Sequence, residues 1–168
     1  MKYQVQLRRL AFYWVSSFVL ATAVYYFLWF VTADNYVFGA LYRMFLFHYE
    51  NPIQFITIPC FFYGIIATLL ANYFSKQRII GKVLLTILII LLTVIISSPF
   101  GGMLWYYYNF KAGYFPADWF SRMIVNGAGE GLLLGWLIVG LSIPYNIIGS
   151  IICFFLTWKG SNMFTGKE

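Results

Sequence analysis

Four long apolar stretches divide this chain, and the charges between them are sorted by side. The stretches cover residues 10–31, 53–74, 79–97 and 131–158. A helix rises about 1.5 Å per residue, so about 20 apolar residues cross a hydrocarbon core of about 30 Å. The segments before the first stretch, between the second and third, and after the fourth hold Lys2, Arg8, Arg9, Lys76, Arg78, Lys159 and Lys167, and Lys82 joins that side from the first turn of the third stretch. The other two connections, 32–51 and 98–130, hold only Arg43, Lys111 and Arg122. Eight basic residues against three is the positive-inside pattern. It predicts a multi-pass protein of the cytoplasmic (inner) membrane with both termini in the cytoplasm.

Composition agrees. The chain has 168 residues, 62% hydrophobic and 10% charged, where soluble domains average about 45–50% and about 25%. A chain so short and apolar has too little interior to hide these side chains from water. The expected fold class is an all-α membrane protein: a four-transmembrane-helix bundle with short interfacial helices on the external face. Residues 1–168 form a single membrane domain. The formal charge of +6 lies in short flanks beside apolar spans, which suit anionic lipid headgroups. No basic helix or stripe points to nucleic acid. Cys60 and Cys153 lie inside apolar stretches, towards opposite faces of the bilayer in this topology, and read as small buried hydrophobes.

The first span has a basic start but a run too long for a cleaved signal peptide, so it reads as a signal anchor. Residues 36–48 are aromatic, interrupted by Arg43 and too short to cross; they read as an interfacial helix. Pro52 suits the first turn of the second span. Lys82, in the first turn of the third, is placed to snorkel to the interface. Ser97-Ser98-Pro99 and Gly101-Gly102 read as its stop. Beyond them, ten of the residues at 100–120 are aromatic, among them Trp105, Tyr106, Tyr107, Tyr108 and Trp119. This density predicts a structured external cap that touches lipid or a partner, with a short helix capped by Asp118. The fourth stretch exceeds a bilayer's thickness and should tilt or kink, with Pro144 supplying the kink.

Little chemistry lies inside the spans. No Asp, Glu, Lys, Arg or His occupies their central turns, whereas ion-coupled transport places such groups near mid-membrane. Gly127, Gly131 and Gly135 recur every fourth residue and form a close-packing helix face. That face serves the bundle itself or a homo-oligomer or partner docked through span four. Ser142, Asn146 and Ser150 form a polar seam beside Pro144, for hydrogen bonds to freed carbonyls or a neighbouring helix.

The candidates for catalysis all lie on the outer face: Asp34, His48, Glu50, Asp118, Arg122 and Glu130. His48 and Glu50 offer an acid–base pair only weakly, since residues two apart on a helix diverge. A second histidine to complete a zinc set does not exist, and neither a phosphate-binding glycine loop nor a hydrolase Gly-x-Ser-x-Gly occurs. Asp34 and Asp118 suggest a carboxylate dyad. Small four-span lipoprotein signal peptidases are similar in length and topology, but their Asn/Asp motif blocks are absent.

The sequence therefore favours a non-enzymatic membrane protein acting by contact, as an accessory or regulatory subunit or an immunity-type protein, through its aromatic external cap. The alternatives are an enzyme acting on a lipid or lipid-linked substrate at the outer interface, and a passive or multi-chain transporter component. Membrane lipids are the expected partners, and neither cofactor nor metal is implied.

Overall fold

The first apolar stretch turns helical well before its apolar run begins. In the computed structural model, which describes residues 2–32, 51–114, 118–141 and 143–164, α1 spans Lys2–Thr32 and carries Arg8 and Arg9 on the helix itself. The second helix, α2 (Pro52–Ser75), starts with proline in its first turn, where the missing N–H has no intrahelical role. Residues 76–78 turn the chain into α3, Ile79–Lys111. Every regular element among the described residues is helical. Three of them, α1, α2 and α3, are long and apolar enough to cross a membrane.

The stop expected at Ser97–Gly102 does not occur. α3 runs through Pro99, Gly101 and Gly102 for 33 residues, and the aromatic run begins as its final third, not as a separate interfacial cap. Serine, proline and glycine end helices in water partly because water competes for the backbone. In lipid that competitor is missing, and breakers are tolerated where a neighbouring helix supports them. Here the hydroxyls of Ser97 and Ser98 donate to the Val94 carbonyl, within the turn that Pro99 interrupts. α3 ends where Tyr114 N–H donates to the Asn109 carbonyl and Gly113 N–H to that of Phe110. This is a Schellman cap, and the φ of +82° at Gly113 is the left-handed conformation it needs.

The fourth apolar stretch is also differently built. It belongs to a descending run that starts earlier, with α4 (Trp119–Arg122), a π-helical turn (Met123–Gly127) and α5 (Ala128–Leu141). After the turn containing Ile143 and Pro144, the chain continues as α6, Tyr145–Phe164. Pro144 thus separates two helices where a kinked single one was expected, because residues on both sides find different partners: α5 packs on α3, and α6 on α1, α2 and α3. Asp118 makes no capping hydrogen bond to α4.

Glycine decides how closely α3 and α5 pack. A Cβ on Gly131 would fall on the Ser98 carbonyl oxygen, one on Gly135 on the Ser98 hydroxyl, and one on Gly102 on the Gly127 carbonyl. On Gly127 it would sit 3.1 Å from the Gly102 carbonyl oxygen. Gly127, Gly131 and Gly135 therefore face α3 of the same chain.

The exterior is as apolar as the core. Val19, Leu69, Leu84, Leu91, Ile95 and Leu133 are exposed on the outside, while Arg9, Thr86, Thr157 and Ser161 are buried. An apolar exterior around a partly polar interior is what a lipid solvent selects. Gly131→Ala should lower stability by about 1–3 kcal/mol, the cost of forcing backbones apart in a packed interior. Gly129→Ala, whose Cβ would meet open space, should change it by less than about 0.5 kcal/mol. Thermal unfolding in mild detergent measures both, and equal losses would refute the close-contact account.

Candidate functional site

Polar side chains gather in two places, one at each end of the bundle. At the basic end, Arg9 is only 2% exposed, and its guanidinium donates to the Asn72 side chain of α2. One helical turn on, the Tyr13 hydroxyl donates to the Thr157 carbonyl of α6 at 3.3 Å. Gly160 lets that ring lie directly against the α6 backbone. The Tyr63 hydroxyl lies 3.1 Å from the Cys153 carbonyl and 2.9 Å from Thr157 Oγ1, so α2 also holds α6 by hydrogen bonds. Further along, the Tyr145 hydroxyl donates to the Ala21 carbonyl of α1. Lys82, instead of only reaching the interface, places its ammonium 5.9 Å from the Phe74 ring centroid and 5.1 Å from that of Trp158.

None of these partners was marked by the sequence. Arg9 reads there as part of a headgroup-facing flank, and tyrosine among phenylalanines carries no period of its own. The available signal was spacing: Arg9 and Tyr13 lie one turn apart, on one face of α1. Cys60 and Cys153, expected towards opposite faces, occupy neighbouring levels of one interior, because Tyr63 follows Cys60 by less than a turn and contacts the Cys153 carbonyl. Both thiols are free.

At the aromatic end the expected acids divide between separate partners. Asp118 forms an ion pair with Arg122, N–O 2.9 Å, with both side chains about half exposed. Glu130 accepts a hydrogen bond of 2.7 Å from the hydroxyl of Tyr106 of α3, a part-buried contact. Asn109 is buried one turn beyond Tyr106 on the same face. Asp34, Arg43, His48, Glu50 and Ser142 lie outside the described residues, as does the 36–48 segment. The Ser150 hydroxyl, exposed, returns to the Asn146 carbonyl of its own helix.

The aromatic run is mostly packed on itself. Trp119 stacks on Phe110 at 4.5 Å and sits 6.0 Å from Tyr107, which docks α4 against the end of α3. Tyr108 stacks on Phe55 at 6.1 Å, and its hydroxyl donates to Gln54 of α2. Trp105 meets Tyr106 edge to face. Among the described residues, Tyr114, Phe120, Ile124 and Val125 are exposed at this end.

Below this platform a groove of about 590 Å³ opens on the outside of the bundle. Phe100, Met103, Leu104 and Tyr107 of α3 form its floor; Thr57, Ile58, Phe61 and Phe62 of α2, Trp14 of α1 and Met123 close its sides. The Thr57 hydroxyl is spent on the Ile53 carbonyl, leaving the lining almost wholly apolar.

Compared with known protein families, characterised proteins and solved structures, the chain matches none. The two polar pairs differ in expected worth. Removing the Tyr106 hydroxyl (Tyr106→Phe) should cost about 1 kcal/mol, with Glu130→Gln non-additive to it in a double-mutant cycle. Asp118→Asn, at an exposed i,i+4 pair, should cost no more than about 0.5 kcal/mol. Additivity of Tyr106 and Glu130 would show that the contact does not operate in the folded protein.

Proposed function

We propose that this chain is a multi-pass integral membrane protein that acts by contact rather than by catalysis, as an accessory or regulatory subunit or an immunity-type protein. α1, α2 and α3 make three crossings, and α5 with α6 forms a broken fourth. The basic end, with both termini, faces the cytoplasm, and the aromatic end faces outward. The eight-to-three sorting of Lys and Arg supports that orientation.

One observation carries the contact reading. Phe110, Trp119 and Tyr107 are locked in mutual stacks, and the residues projecting beyond them, Tyr114, Phe120, Ile124 and Val125, are apolar or amphipathic and exposed. Rings already fixed in place lose little entropy on binding, which is the usual economy of a protein-contact surface. Chemistry at this end has less support. Asp118 and Glu130 each answer to a different partner and offer no shared proton.

A photo-crosslinking residue in place of Phe120 should give one discrete protein adduct in native membranes, and the same residue in place of Phe155 on α6 should give only lipid adducts. With the crosslinking residue moved to the exposed Ile124 position, Phe120→Asp should abolish the protein adduct while leaving unfolding unchanged within about 0.5 kcal/mol. Indistinguishable adduct patterns at the two sites would rule out the aromatic end as the contact surface.

A further inference from the structure

The groove beneath the aromatic platform has a cation beside one of its lining rings, and the two together suggest a ligand. Its floor on α3 is a single helical stripe: Phe100, Met103, Leu104 and Tyr107 recur at spacings of three and four, the period of one helix face. The next position on that stripe is Lys111, one turn beyond Tyr107. Its ammonium lies 5.4 Å from the centroid of the ring of Tyr107, which lines the groove. Lys111 is exposed and joins no ion pair among the described residues. Arg122, close by in sequence to the lining residue Met123, already has Asp118.

We propose that this groove is a specific site for one anionic glycerophospholipid of the surrounding bilayer. One acyl chain lies along Tyr107, Leu104, Met103 and Phe100 towards Trp14 and Phe61, and the phosphate group meets Lys111. The volume, about 590 Å³, falls within the roughly 300–1,000 Å³ of ordinary small-ligand sites. An almost wholly apolar lining rejects a polar ligand, because nothing along it replaces hydrogen bonds lost from water. A positive group at one end only selects an amphiphile with a negative head. The two methionines suit a flexible chain, since their side chains re-pack easily around irregular shapes. This goes beyond the contact role and rests only on the bundle lying in a membrane. Should the contact role fail, the crosslinking at Phe120 reports it, and the lipid site is read separately.

The test is native mass spectrometry of the full chain in mild detergent, titrated with phosphatidylglycerol and with phosphatidylcholine of the same acyl chains. The expected result is one retained lipid per chain, with phosphatidylglycerol favoured about fivefold, as one interfacial charge supplies. Lys111→Gln, at an exposed position, should bring the ratio to about one without losing the lipid. Leu104→Trp, which fills the groove, should remove the retained lipid. Leu84→Trp, on an exposed part of α3 outside the groove, should not. Thermal unfolding checks that the variants are folded, and Lys111→Gln decides the headgroup claim even if Leu104→Trp fails to fold. The proposal is overturned by a wild-type chain that retains no lipid, by graded binding of several lipids without headgroup preference, by full preference persisting in Lys111→Gln, or by a dimer that excludes lipid.

Discussion

Where α5 crosses α3, Gly102 and Gly131 bring two backbones so close that no side chain fits between them. Lipid tails are as apolar as leucine, so helices in a bilayer gain little by hiding leucine from them. They associate through close van der Waals contact and hydrogen bonds. This crossing therefore positions much of the aromatic end. It holds α5 alongside the upper half of α3, which brings Glu130 to Tyr106. It also starts the chain's descent high enough for Trp119 to lie on Phe110. The π-helical turn between them, Met123–Gly127, places Gly127 against Gly102 and the Tyr106 ring. The length of α3 depends on the same contact, since α5 backs the stretch where proline and glycine would otherwise end the helix.

The other half of the bundle is held differently. α6 meets α1 and α2 through hydroxyls that point at its carbonyls and at Thr157, with the Tyr13 ring lying against Gly160. Hydrogen bonds of this kind are individually modest in membranes, about 0.6 kcal/mol on average, but they are directional and fix how α6 is rotated. One end of the protein is set by shape and the other by polar pairing, with the turn at Ile143–Pro144 joining them.

The sequence showed the membrane character and the first two helices, because these depend on length and hydropathy alone. It misplaced the end of α3, because proline and glycine were weighed as breakers when α5 uses them as contact positions. The glycine spacing itself was visible, yet its counterpart, Ser98 and Gly102, looked like part of a stop signal. Arg9 reads as a headgroup-facing flank residue because its partner, Asn72, lies 63 residues away, beyond any local pattern. The outer acids resembled a cluster in one dimension. In the fold, Asp118 turns to its own helix and Glu130 turns to α3.

The hydroxyl contacts of α6 also bear on the order of assembly. The chain is made from the N-terminus, so α1 and α2 enter the membrane before residues 145–164 exist. Until then the Tyr13 and Tyr63 hydroxyls lack the Thr157 and Cys153 groups they contact in the finished bundle. A chain interrupted before α6 would leave these groups towards lipid, a mark that separates unfinished molecules from complete ones. α6 thus acts as the latch that closes the interior.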